Sequence, residues 1–330
     1  MFRPLTLLKH TVLFLLTLLT TMAAGMVWQN ELDFANIGVG LPYALSLLFI
    51  LSCHEFGHFF AARFHGVAVT LPYYIPVPPI AGMVNFGTLG AVIRTREAIP
   101  SHKALFDIGI AGPIAGFVAS LLVLAWGFTH LPGTDFLLAI HPDYDFTSQA
   151  LQQGEPIGTL TFGSTILYSL FQGIFAPAGE FIPPMTEMYH YPFLVTGWFG
   201  LLVTALNLLP AGQLDGGHIA YAMFGARHRL LARVTVAVLI ISGACGMLPS
   251  VLDLLGYGST AVMLLQEFPG YFSYFWPGWL FWALILLFVV KVDHPPVGTD
   301  EPLDRRRMLL GWGAWVMLLL CISPAPLYFL

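Results

Sequence analysis

Residues 41–60 read Leu41-Pro42-Tyr43-Ala44-Leu45-Ser46-Leu47-Leu48-Phe49-Ile50-Leu51-Ser52-Cys53-His54-Glu55-Phe56-Gly57-His58-Phe59-Phe60. Together with the uncharged residues from Phe34 onward, the run to Cys53 is long enough to cross a bilayer core, which takes roughly 20 apolar residues as helix. It leads straight into two histidines and a glutamate. His54 and His58 are four apart, so a helix continuing through them sets both imidazoles on one face, one turn apart. That spacing suits two nitrogens on one Zn²⁺ at about 2.0–2.1 Å. Glu55, beside the first histidine, can then take a proton from metal-activated water. Ionisable groups inside an apolar span are expensive to bury and mark function. The bland alternative is a satisfied polar cluster between helices.

The rest of the chain agrees with a membrane setting. Of 330 residues 57% are hydrophobic and 9% charged, with 27 Phe and 8 Trp, and mean hydropathy is +0.77. A soluble domain carries about 25% charged residues, so this chain could not cover a globule with polar surface. Thirteen Lys and Arg stand against 18 Asp and Glu, net −5, which argues against a basic nucleic-acid-binding face. Cys53, Cys245 and Cys321 lie in apolar runs without CxxC spacing, excluding a disulfide framework or a cysteine zinc site.

Seven stretches qualify as spans: Thr11–Val27, Phe34–Cys53, Ile108–Thr129, Tyr191–Leu214, Val234–Leu252, Phe268–Val290 and Met308–Leu330. With the N-terminus inside and each stretch crossing once, all thirteen basic residues fall on the inner side. The outer side receives Glu31, Asp33, Asp135, Asp143, Asp145, Glu155, Glu180, Glu187, Asp253 and Glu267. A further uncharged stretch, Pro156–Gly179, would move Arg227, Arg229 and Arg233 outside if it also crossed, so it reads as a surface-lying amphipathic segment. The first span resembles a signal peptide in its charged start and in Ala23, Ala24 and Gly25, but its apolar run is longer than a signal core and it reads as retained. The expected fold is an all-α integral-membrane domain of about seven transmembrane helices, with a membrane-associated β-hairpin after the HExxH helix.

Two histidines do not complete a zinc site; a third protein ligand and water are expected. Asn207-Leu208-Leu209-Pro210-Ala211-Gly212-Gln213-Leu214-Asp215-Gly216-Gly217-His218 breaks the end of the fourth span. Non-helical backbone at membrane depth is tolerated where it lines protein or a cavity. Asp215 sits at this break, on the same inner half as His54 and His58, and His218 is the rival third ligand. Asn207, an amide in an apolar span, is a candidate donor to a developing oxyanion; its alternative role is a helix–helix hydrogen bond.

HEFGH, with Asn207, Pro210 and Leu214-Asp215-Gly216, resembles the two signatures of the site-2 protease family of intramembrane zinc metalloproteases, peptidase M50. Gly87–Arg94 and Ala104–Gly116 are similar to the corresponding region of its chloroplast-type and related bacterial members. The resemblance covers Phe34 to Arg229. It implies Asp215 rather than His218 as third ligand, one Zn²⁺ per chain held by His54, His58 and Asp215, and catalysis by Glu55 with Asn207. It further implies hydrolysis of peptide bonds in or near transmembrane segments of membrane-protein substrates, within a lipid bilayer. No stretch resembles the PDZ or CBS modules of other members. The chain reads as one domain, 1–330, with a catalytic core over 34–229 and peripheral spans at 11–27, 234–252, 268–290 and 308–330. A multi-pass place in the bacterial cytoplasmic membrane, N-terminus cytoplasmic, is expected.

Three further expectations follow from the residues. Val67, Val69, Leu71, Tyr73 and Ile75 alternate before Pro76, so Val67–Arg96 reads as strand and turn, and Gly87–Ile93 could offer an edge to an unwound substrate segment. Gly112, Pro113 and Gly116 read as a packing surface. His65, His102, His130, His141, His190 and His228 read as solvated loop or flanking histidines. A metal carrier or sensor built on the same His/His/Asp cluster is the non-enzymatic alternative. It would need further polar residues on the outer half, and none stands out in the sequence. A di-iron hydroxylase would need several histidine boxes where this chain has one pair.

Overall fold

The computed structural model describes residues 4–79, 85–142, 144, 160–176, 179, 181–268, 270–295, 297–298 and 301–329. The outer acids Asp143, Asp145, Glu155 and Glu180 lie outside the described residues, as do 80–84 of the hairpin and 156–159 and 177–178 of the amphipathic stretch. Helix α1 spans Pro4–Trp28. A 3₁₀ turn, Phe34–Gly40, is capped by the Asp33 carboxylate on the Ala35 N–H and leads into α2, Leu41–Phe64, which begins with Pro42 in its first turn. Strands β1, Tyr73–Pro76, and β2, Thr88–Val92, pair antiparallel. Helix α3, His102–Thr129, starts where the Ser101 hydroxyl accepts the Ala104 N–H. Then come α4, Thr134–Ile140; β3, Leu160–Phe162; α5, Ile166–Phe175; α6, Pro192–Asn207; and α7, Asp215–Phe224. Helices α8, His228–Leu254, α9, Gly258–Glu267, α10, Tyr271–Tyr274, and α11, Gly278–Leu284, precede α12, Arg305–Cys321. Strand β4, Leu327–Phe329, closes the order.

Among the described residues, five helical segments are long and apolar enough to cross a membrane: Pro4–Trp28, Phe34–Phe64, His102–Thr129, Asp215–Leu254 and Tyr271–Val290. The other two expected spans are shorter. Helix α6 stops at Asn207, not Leu214, because Pro210 removes a donor and Gly212 takes a positive φ of 55°. Helix α12 stops at Cys321, and Pro324 and Pro326 prevent its continuation. The chain end instead forms β4, which pairs with β3. The stretch expected to lie on the surface therefore contributes a strand as well as a helix. Along α5, Ile166, Leu170 and Ile174 are exposed while Leu167 and Tyr168 are buried, so its outward face is apolar at helical spacing.

The expected strand is present, with one correction. From Val69 to Tyr73 the first strand advances four residues while its partner, Thr95 to Val92, advances three. One extra residue flips the side-chain alternation, so the buried set is Val67, Val69, Thr70, Pro72 and Tyr74, not the continuous odd-numbered series. The hairpin lies along α1. His10 Nδ1 donates to Pro72 O (2.9 Å), the Thr20 hydroxyl donates to Gly87 O (2.7 Å), and the Tyr43 hydroxyl of α2 donates to Phe86 O (3.1 Å).

The core centres on Trp198 of α6, fully buried with Phe106, Phe128, Phe162 and Tyr168. Its indole N–H donates to Gly163 O (2.8 Å). One ion-paired group and one aromatic group bear on the orientation of the spans. His65 and Arg307 both meet the Asp107 carboxylate, and Lys103 pairs with Glu301. Trp28 packs with Phe86, Phe162 and Tyr189. The first group contains only residues expected on the inner side. Trp28, Phe162 and Tyr189 come from stretches expected on the outer side, and Phe86 reaches them from the tip of the hairpin.

Candidate active site

His54, Glu55 and His58 lie in the second half of α2 and are each no more than 7% exposed. Asp215 opens α7, where the helix dipole favours a carboxylate. The loop delivering it is tightly determined. Ala211 N–H donates to Leu209 O (2.7 Å), and Gly212 N–H to Val292 O (3.1 Å) beyond the Tyr271–Val290 segment. A side chain at Gly216 or Gly217 would run into the carbonyls of Leu208 and Gly212, so the two residues after Asp215 have to be glycine.

Three ligand-type atoms converge. His54 Nε2 and His58 Nε2 are 3.1 Å apart, and Asp215 Oδ2 lies 3.4 and 3.3 Å from them. Ligands about 2.05 Å from a tetrahedral centre stand about 3.3 Å from one another, so the triangle fits one zinc ion. The tautomer fits too. His58 Nδ1 is 2.7 Å from Ile108 O and donates to it, leaving Nε2 as a lone pair. Asp215, and not His218, completes this triangle. The three ligand-type atoms that gather within reach of one ion are those of His54, His58 and Asp215; His218 Nδ1–H instead donates to Nε2 of His294 (2.6 Å), whose own Nδ1–H donates to Pro295 O (2.6 Å).

Asn207, the last residue of α6, brings its side-chain nitrogen to 3.3 Å from His54 Nε2. Glu55 accepts a hydrogen bond from the backbone N–H of Ile93, just past β2. All five expected residues line one cavity of about 830 Å³, together with 91–95, His218, His294 and Gln213. The glycines of α3 press on the site. A Cβ at Gly112 would collide with the His58 ring, one at Gly116 would come to 3.0 Å from His54 Nδ1, and one at Gly57 would meet Ala111 O at 2.5 Å. The packing surface read from the sequence thus lies directly on the histidine side chains.

Sequence reasoning missed His294, for which no local pattern existed. It also read the flanking histidines as solvated. His102, His190 and His228 are buried instead: His228 Nε2 accepts the His294 N–H (3.1 Å), and His190 is bonded to Trp28 O and His141.

The profile of Peptidase family M50 matches residues 42–249. The chain is 31% identical over 195 residues to "Probable zinc metalloprotease EGY1, chloroplastic" of Arabidopsis thaliana, covering 59% of this chain and 32% of that protein. It is 29% identical over 230 residues to "Probable zinc metalloprotease EGY2, chloroplastic" of Oryza sativa subsp. indica, covering 70% of this chain and 37% of the relative. Against the EGY1 protein of Oryza sativa subsp. japonica it is 33% identical over 209 residues, 62% and 31% of the two chains. The chain thus spans about a third of the length of these curated relatives. The profile match extends from the start of α2 into α8 and takes in both halves of the His54–His58–Asp215 triangle; the chain belongs to peptidase family M50.

Proposed function

We propose that this protein is an intramembrane zinc metalloendopeptidase that hydrolyses peptide bonds in or near transmembrane segments of membrane proteins. The observation that carries the reading is the convergence of His54 Nε2, His58 Nε2 and Asp215 Oδ2 beside Glu55 in one cavity. His54, His58 and Asp215 would hold zinc, which when bound supplies Lewis acidity to a carbonyl and lowers the pKa of water. Glu55 takes the proton of the attacking water on its carboxylate and returns it to the departing amine. Asn207 Nδ2 donates to the oxygen that gains charge as the carbonyl carbon becomes tetrahedral. Burial excludes bulk water and strengthens these interactions.

A transmembrane helix hides its carbonyls in its own ladder, so a substrate has to unwind before attack. The segment after β2 runs past Glu55, and residues 91–95 form one wall of the cavity. An extended substrate strand adding beside them would bring a peptide bond to the site. We read seven crossings with the N-terminus inside, α6 and α12 being the two short ones. Two groups support this: the ion pairs of Lys103, Asp107, Glu301 and Arg307, all from stretches read as inner, and the aromatic contacts of Trp28 and Tyr189 beside the β3–β4 pair, from stretches read as outer. The loop charges support an inner N-terminus; our reading of a bacterial cytoplasmic membrane stands beside relatives whose names are chloroplastic.

The test is cleavage of a helix-destabilised model transmembrane substrate by the detergent-purified protein and by Glu55→Gln, with bound zinc measured on both. Cleavage by the wild type alone, with equal zinc in both, is expected. Equal cleavage by both forms refutes the role of Glu55. Zinc without cleavage of any substrate returns the chain to the carrier or sensor reading.

A further inference from the structure

A second set of ligand-type atoms lies outside the active site. His141 caps the end of α4, Glu187 and His190 precede α6, and His190 Nδ1–H donates to Trp28 O at the end of α1 (2.7 Å). That bond leaves His190 Nε2 as the free ring nitrogen, 3.0 Å from His141 Nε2. Glu187 Oε2 faces both, 3.4 Å from His190 Nε2 and 3.7 Å from His141 Nε2. The Glu187 carboxylate is fixed through its other oxygen, which accepts from the Tyr144 hydroxyl at 2.8 Å.

A cluster of neutral imidazoles does not account for this arrangement. One proton can lie between the two Nε2 atoms, but Glu187 Oε2 then has no donor. Glu187 is 4% exposed, and this oxygen is fully buried without a hydrogen-bond partner. Buried carboxylate oxygens are ordinarily paired or metal-bound. A cation at the centre of the three atoms satisfies all of them at once. The edges of 3.0, 3.4 and 3.7 Å bracket the about 3.3 Å expected of tetrahedral zinc ligands. They are close to the 3.1, 3.3 and 3.4 Å of the active-site triangle. Two imidazoles and one carboxylate are a donor set for zinc rather than for calcium or magnesium, which take oxygen ligands. His141 is the least buried of the three, and a water would complete four-coordination.

We propose that His141, Glu187 and His190 form a second zinc site, in which the ion clamps the end of α4 and the start of α6 to the end of α1. It is separate from the His54–His58–Asp215 site and does not depend on proteolysis. A zinc count on the full chain in detergent, after loading with zinc alone and removing the excess, tests it. The wild type should hold about two equivalents, and His54→Ala with His58→Ala about one. Glu187→Gln and His141→Ala should each lose one equivalent. Cobalt(II) loaded into the His54→Ala/His58→Ala protein should give a tetrahedral absorption spectrum that disappears with His141→Ala added. Because that spectrum is read on a protein with the clamp residues intact, misfolding of a clamp variant cannot mask the result. Wild-type zinc content in Glu187→Gln, or no metal in the His54→Ala/His58→Ala protein, overturns the proposal. One equivalent in the wild type that survives the histidine pair's removal would uphold this site and overturn the active-site assignment instead.

Discussion

Replacing Gly112 by alanine should empty the active site of metal. A Cβ built at this position falls within 3.0 Å of Nε2, Cδ2 and Cε1 of His58. Ordinary contact lies near 3.5 Å, so methyl and ring must part by on the order of 1 Å. Metal–ligand distances tolerate only about 0.2 Å. The ring cannot swing freely, because its Nδ1–H is held at 2.7 Å by the carbonyl of Ile108, one turn before Gly112 on the same helix. Withdrawal of helix α3 would give up its close packing on α2, where Ala111 O is seated on Gly57. The strain of overpacking, about 1–3 kcal/mol, is therefore relieved most readily by giving up the His58–metal bond. Disturbing even a supporting group around a metal costs about 10–100-fold in affinity, and displacing a ligand should cost at least the upper figure. The assay is zinc affinity of the His54–His58–Asp215 site by competition with a chelator, beside cleavage and the thermal midpoint. Gly116→Ala, whose Cβ would lie 3.0 Å from His54 Cβ and Nδ1, and Gly109→Ala, 3.0 Å from His218 Cβ, are the milder comparisons. A folded Gly112→Ala protein with wild-type zinc affinity and cleavage would refute the reasoning.

Asn207→Ala should lower kcat by about 10²–10³ at unchanged zinc content if the amide serves the oxyanion; a loss of zinc with unchanged turnover per bound ion would make Asn207 a positioning residue for His54. Gly87 holds φ at +80°, and a Cβ there would come 2.5 Å from Thr21 Cα, so Gly87→Ala should detach the hairpin from α1 and lower stability by about 1–3 kcal/mol. Thermal unfolding in detergent and faster proteolysis between Pro76 and Thr88 report it, and wild-type behaviour in both would contradict the packing. Burial holds His294 below the ordinary imidazole value; its bond to Pro295 O opposes this, and nearby His228 and His102 add to it. The unfolded chain then binds more protons than the fold once pH drops below about 6.5, so stability should decline with falling pH through that value. His294→Gln should make the decline of the thermal midpoint shallower, and an equally steep decline would assign it to other groups.

What could be read in the sequence was local or set by the bilayer. His54, Glu55 and His58 declare themselves because their relation is one helical turn. Asp215 and its rival His218 were reachable because Pro210 and Gly212 break an apolar run at a depth that loop charges fix, and the family resemblance chose between them. The same logic failed where one residue decides direction. The extra residue between Val69 and Tyr73 reverses the strand's faces, and hydrophobic alternation contains no mark of it. Pro324 and Pro326 do mark the end of α12, but apolar composition to Leu330 outweighed them in the span reading. His141 and Glu187 are far apart in the chain, and single histidines in loops carry no spacing from which a common site could be inferred.

The active-site geometry has a further determinant that holds no ligand. Gly109, Gly112 and Gly116 lie three and four residues apart, and so share one face of α3. That face meets His218 Cβ and Asp215 O of α7 through Gly109, the His58 ring through Gly112 and His54 through Gly116. The two histidines come from α2 and the carboxylate from α7, and both helices rest on the same glycine face. The backbone of α3 therefore sets the distance between the two ligand-bearing helices, and its carbonyl at Ile108 sets the tautomer of one ligand. Glycine is required at Gly112, where a Cβ would collide with the His58 ring, while at Gly109 and Gly116 a Cβ at 3.0 Å would use up the tenths of an ångström that a metal site tolerates. A motif search sees the ligands, while the spacing between them is held by residues chosen for having no side chain.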